Sequence, residues 1–320
     1  MAASAEVMNP STEVLEAAVT SVFQPGNHAV ELIQADGETA PKPPMPILVA
    51  APKIAGTYPV AMFLHGFFLQ SHFYEQVLKH CASFGFIMVA PQLQVSILTP
   101  TSSDEDIASA SKVTDWLTEG LPSVLPEGVN PDVSKLALAG HSRGAHTAFS
   151  LALGYGKTNG LKFSALIGID PVAGQDKSSQ VSPKILTYEP SSFNIAMPVL
   201  VIGTGLGEQK RYEFLPGPAC APRDVNHREF YRECKPPCYH LVTRDYGHLD
   251  MLDDEYVALL FRYLCKEGKN RKDTMRRSVA GIMVAFLKAV LSGEDGELMV
   301  ILKDPGLAPA TLNPVECRLA

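Results

Sequence analysis

A serine, a histidine and a carboxylate able to do acyl-transfer chemistry together can be picked out of this 320-residue chain from their surroundings. The stretch "LAGHSRGAHTAF", residues 138–149, sets Ser142 between Gly140 and Gly144, after the apolar run "KLALA" and before a segment of helical periodicity. A strand that enters a helix through a sharp turn lifts such a hydroxyl above the sheet edge, and flanking glycines let neighbouring backbone come close. The competing account of Ser142 is a helix-capping serine with chance glycines.

Attack by a serine on a carbonyl builds an oxyanion, which needs N–H donors. The helix start behind Ser142 offers the backbone amide of Arg143 and a positive potential. "PVAMFLHGFFLQ" offers the second donor: its strand ends at Leu64, and His65-Gly66-Phe67 then presents the amide of Phe67. A plain β-turn is the alternative for His-Gly.

The base must follow the serine and the acid in chain order, so of the nine histidines only His227, His240 and His248 come late enough. His240 sits inside the strand-like "CYHLVTRD", facing the packing, and His227 lies in an irregular loop. His248, in "RDYGHLDMLDD", follows the last of these strands with Gly247 freeing its backbone, and is the base we select. Asp250 suits a helix cap better. For the acid, Asp170 ends "ALIGID" at a fixed strand end before Pro171, whereas Glu208 follows the flexible "GTGLG". Holding one imidazole tautomer favours the rigid position, so Asp170 is chosen, with Glu208 the alternative and Asp245 behind it.

Two other clusters invite chemistry. Gly203, Gly205 and Gly207 lack the dinucleotide spacing and the helix that should follow it. Cys220, His227, Cys234, Cys238 and His240 match no common zinc pattern, and buried thiols or one disulfide explain them better; no metal is expected.

Elements able to position these residues alternate along the chain. Strands are expected over 28–34, 45–51, 59–64, 87–91, 136–140, 165–169, 198–204 and 239–244, the first two as an antiparallel edge hairpin. Helices are expected over 71–84, 105–119, 143–154, 252–267 and 273–292, the last with Asp273 as N-cap, Gly293 as stop and Arg276 and Arg277 on its outer side. A membrane-surface helix could share that last pattern, but packing on the sheet fits it better. The result is an α/β chain with a mostly parallel central sheet of about eight strands and helices on both faces. The long connections 172–197 and 205–238 leave carboxyl strand ends, where open α/β sheets bind ligands, and are expected to lie over the site. Residues 1–20 are expected to be poorly ordered and 21–320 to form a single domain.

Bulk properties narrow the partners. A net charge of −7 offers no basic face for nucleic acid. No run of eighteen apolar residues suits a membrane span. Residues 1–41 hold no Lys or Arg and several acids, unlike an organelle transit peptide, and lack the layout of a secretory signal.

At these residues a likeness to a known family becomes specific. "FLHGFFLQSHFYEQVLKHCASFGFIMVAPQL", "GHSRGA", "ALIGIDPVAG" and "VNHREFYRECKPPCYHLVTRDYGHLDMLDD" together resemble plant chlorophyllase, from about residue 20 to the C-terminus. The resemblance implies an α/β-hydrolase fold and cleavage of the phytyl ester of chlorophyll to chlorophyllide and phytol. It also implies a catalytic set of Ser142, Asp170 and His248. No cofactor is implied; any magnesium would belong to the substrate. Phe68 and Leu69, beside Phe67, become candidates to line an apolar groove for that substrate, with core packing as the alternative. The family resemblance points to the chloroplast and leaves room for peripheral membrane contact, while the N-terminal composition leaves the compartment open. Ala145 departs from a glycine common in the family. The rival functions are a broad carboxylesterase or lipase, and a hydrolase-fold receptor without catalysis.

Overall fold

Alternate residues of the central strands enter two different apolar clusters, which fixes a sheet covered on both faces. Along β3 (Gly56–Leu64), Val60, Met62 and Leu64 join one cluster while Ala61 and Phe63 join the other. Along β7 (Val199–Thr204), Val199 and Val201 divide from Leu200 and Ile202 in the same way. Burial on both sides is why these strands read as nearly continuous apolar runs. The computed structural model describes residues 22–37, 41–93, 102–158, 160–212, 214, 218–254 and 264–319.

Among the described residues the sheet has nine strands. The others are β1 (Val30–Ala35), β2 (Ile47–Pro52), β4 (Ile87–Pro91), β5 (Val129–His141), β6 (Phe163–Ile169), β8 (Cys238–Thr243) and β9 (Leu312–Arg318). Their order is β1-β2-β4-β3-β5-β6-β7-β8-β9. Strands β3 to β8 pair in parallel. The β1–β2 hairpin joins β4 antiparallel, as expected of an edge. At the other edge β9 pairs antiparallel with β8, a strand the sequence pattern did not reveal. This is the α/β-hydrolase architecture that the resemblance implied.

One apolar face is covered by α1 (Glu75–Ser83) and α5 (Lys272–Ser292). The other lies against α2 (Ser103–Trp116), α3 (Arg143–Ala152) and α4 (His227–Glu233). Ser102 and Glu105 form a reciprocal capping box that starts α2. The inward face of α5 is buried at Met275, Val279, Ile282, Met283, Phe286 and Leu287, and Gly293 ends it at φ 74°, as expected. Two expectations for α5 are corrected. Arg271 rather than Asp273 is its N-cap, and Arg276 is buried, donating to the Leu252 carbonyl and to Asp254. A further helix, α6 (Gly296–Lys303), follows. Most of the helix expected over 252–267, and the N-terminal segment 1–20, lie outside the described residues.

The two long connections are tied to each other. Glu233, wholly buried, accepts hydrogen bonds from the Thr187 and Tyr188 amides and from the Thr187 and Ser192 hydroxyls. Ala173 N donates to Val225 O at 2.9 Å, joining one connection to the other. Cys220 forms a disulfide with Cys265, so it leaves the expected loop group; Cys234 and Cys238 are buried free thiols.

Candidate active site

Ser142 occupies the turn between β5 and α3 with φ 56° and ψ −124°, a conformation that costs strain for any residue with a Cβ. Close approach of backbone enforces it. A Cβ on Gly140 would overlap the Gly144 carbonyl, and one on Gly144 would overlap the Leu64 carbonyl at the end of β3. The side chain of Ser142 caps no helix amide. Its hydroxyl donates to His248 Nε2 at 2.8 Å instead.

His248 follows β8 on a loop pinned from several sides. Asp250 accepts from the Gly247 and Gly268 amides, both at 2.7 Å, and a Cβ on Gly247 would overlap the Lys266 carbonyl. Asp250 therefore braces this turn. The other ring nitrogen, Nδ1, donates to Asp170 Oδ2 at 2.6 Å.

Asp170 stands at the carboxyl end of β6 with φ 39° and no exposure. Thr204, ending β7, donates its backbone N–H to Asp170 Oδ1 at 3.1 Å and its hydroxyl to Oδ2 at 2.7 Å. Burial alone would raise its pKa, yet the hydrogen bonds from His248 and Thr204 bring it below the ordinary carboxylate value. Glycines in and just after β7 make room here. A Cβ on Gly203 would overlap the His227 ring, and one on Gly207 would sit 2.8 Å from Asp170 Oδ2. Glu208, the alternative acid, turns away to Arg228 at 3.3 Å, and Asp245 pairs with Arg244.

The turn after β3 lies beside Ser142. A Cβ on Gly66 would stand 2.9 Å from Leu69 Cδ1 and 3.2 Å from Ser142 Cβ. Gly66 N donates to Tyr74 Oη, so that amide is committed and the next one along the turn belongs to Phe67. Arg143 opens α3, where the first amides have no partner within the helix. Its guanidinium binds Asp106 at 2.7 Å and lies 4.9 Å from the Phe67 ring centre. Phe67 is 44% exposed and Phe68 is partly buried at φ 57°. Leu69 is 2% exposed and belongs to the core, so it supports the turn from beneath and does not line an open groove.

Sequence reasoning missed Tyr74 and His141, which enclose this corner of the site. Tyr74 lay in an apolar-periodic stretch that reads as core, and His141 was passed over as a flank of the serine. Elsewhere His227 and His240 bond each other at 2.8 Å, and His240 bonds Glu316.

Comparison with known proteins identifies the family. The chlorophyllase family model matches residues 18–319. Chlorophyllase-1 of Arabidopsis thaliana is 48% identical over 277 residues, covering 85% of this chain and 84% of its own. Chlorophyllase-2 of the same plant is 47% identical over 88% of this chain and 92% of its own. Chlorophyllase-1, chloroplastic, of Citrus unshiu is 43% identical over 95% of this chain and 91% of its own. With a family match over nearly its whole length, and relatives this similar, the chain belongs to the chlorophyllase family.

Proposed function

We propose that this protein hydrolyses the phytyl ester of chlorophyll to chlorophyllide and phytol through Ser142, His248 and Asp170. Family membership makes it a carboxylic ester hydrolase. The observation that carries the residue assignment is the unbroken run of hydrogen bonds from Ser142 Oγ through both nitrogens of His248 to Asp170.

His248 accepts the Ser142 proton as the oxygen attacks the ester carbonyl on the propionate arm of the macrocycle. Asp170 keeps the proton on Nδ1, leaving Nε2 free to accept, and steadies the imidazolium that forms. The Phe67 and Arg143 amides face the developing oxyanion; loss of one such donor typically costs ~3 kcal/mol. Collapse of the tetrahedral adduct breaks the bond to the phytyl oxygen, which takes the proton from His248 and departs as phytol. Water, deprotonated by His248, then attacks the acyl-Ser142 ester and releases chlorophyllide. Phe67 presents apolar surface beside the turn, suited to a lipid-like substrate.

Incubation of the purified protein with chlorophyll a tests this function. Chlorophyllide and phytol in equal amounts are expected. Persistence of intact chlorophyll, under conditions where short p-nitrophenyl esters are cleaved, would assign a general esterase instead.

A further inference from the structure

The turn that carries the Phe67 amide and the loop that carries His248 are joined by two buried side chains that the reaction steps above do not use. Gly66 N donates to Tyr74 Oη at 3.2 Å, Tyr74 Oη bonds His141 Nδ1 at 2.8 Å, and His141 Nε2 bonds the His248 carbonyl at 3.0 Å. Tyr74 and His141 are wholly buried, and the His141 and His248 ring centres are 4.7 Å apart.

The directions of these bonds follow from valence. A carbonyl oxygen only accepts, so Nε2 of His141 carries hydrogen, and Nδ1 of the neutral ring accepts. Tyr74 therefore donates to Nδ1 and accepts from Gly66. Each donor hydrogen in the chain has one acceptor. A protonated His141 would set two donors on the Tyr74 oxygen and leave the phenol hydrogen without this acceptor. Burial, with nearby His248, pushes the His141 pKa down to about 3, so the ring stays neutral near neutral pH.

We propose that Tyr74 and His141 act as a positioning pair, a rigid hydrogen-bonded strut that fixes the distance between the oxyanion turn and the backbone of His248. The proposal rests on the functional assignment of Ser142 and His248 above. A transition state needs the oxyanion donor and the base in place at once, and a shift of about 1 Å between them can cost ~100-fold in rate. Substrate binding needs no such register, so the strut acts on kcat and leaves KM largely alone.

The test compares Tyr74→Phe, His141→Leu, His141→Gln and the Tyr74→Phe/His141→Leu double variant, with active sites counted by fluorophosphonate titration so that misfolded molecules drop out. Each single deletion is expected to lower kcat per titrated site about 10- to 100-fold with KM within about 3-fold. The double variant should be no worse than the poorer single within about 3-fold, because both cut one chain. His141→Gln should recover most of the loss, since its amide can accept from Tyr74 and donate to His248. Unchanged kcat per site in Tyr74→Phe and His141→Leu, with only the melting temperature lowered, would overturn the strut. Losses that multiply in the double variant would overturn it as well. Failure of Ser142 to label in the unaltered protein would instead strike the underlying assignment.

Discussion

The Ser142 hydroxyl and His248 Nε2 are 2.8 Å apart although 106 positions separate them in the chain. Strand order brings them together. β5 and β6 are neighbours, β7 and β8 follow in parallel, and the residues after β5, β6 and β8 all emerge at the carboxyl ends of these strands. Binding and reaction at that edge are general for open parallel sheets.

The acid can be assigned by charge-neutral substitution. Asp170→Asn should lower kcat about 10⁴-fold, because an amide beside Nδ1 stabilises the wrong tautomer and no imidazolium. Glu208→Gln, which loosens only a partly exposed pair with Arg228, should leave kcat within about 2-fold. Steady-state rates on one ester substrate decide it, and the reverse order of effects would move the acid to Glu208.

Crowding at the oxyanion turn gives a second prediction. Gly66→Ala would press a methyl group against Leu69, Ser142 and His141 at 2.9 to 3.3 Å. Displacement of the neighbouring Phe67 amide should cost about 10- to 100-fold in kcat with a smaller change in KM. A fully active Gly66→Ala variant would argue against this turn as the oxyanion site.

Stability should decline with acid from near neutrality. Burial first of all lowers His65 and His146 to about 4, and His141 and His227 to about 3, from an ordinary 6.5. Between those values and 6.5 the unfolded chain binds the protons, so stability rises with pH and is lost as pH falls below 6.5. Each imidazole adds up to about 1.4 kcal/mol per pH unit in that window. Asp253, which burial raises to about 6, and Asp250, which burial also raises, act the other way, but they are two groups against the four histidines. Urea midpoints should be nearly flat from pH 8 to 7 and fall steeply from pH 6 to 5. Equal midpoints at pH 7 and pH 5 would refute the buried neutral histidines.

Glu233 should be a stability residue. Replacement by Ala strands the two amides and two hydroxyls that converge on it, at a cost of about 2–3 kcal/mol. Denaturant unfolding reads this directly; a change below about 0.5 kcal/mol would mean the 187–192 segment finds other partners.

Much of the frame was legible because its signals are local. Apolar runs located eight strands, and the flanking glycines of Ser142 carried the turn. Edge strand β9 escaped because Pro314 interrupts its pattern, although an edge is where a sheet tolerates proline. α4 spans only seven residues within a connection read as irregular. The choice between Asp170 and Glu208 depends on distances between strand ends, which no spacing encodes. The Cys220–Cys265 pairing, the burial of Arg276 and the core position of Leu69 are likewise products of tertiary packing. Tyr74 and His141 have no motif, since they meet each other across 67 positions and His141 reaches the His248 carbonyl across 107.

The most direct measurement is chlorophyllide release from chlorophyll a by the unaltered protein and by Ser142→Ala, each confirmed folded. The account predicts loss of about 10⁴- to 10⁶-fold in turnover with the melting temperature nearly unchanged. A Ser142→Ala protein that still forms chlorophyllide within about tenfold of the normal rate would contradict it.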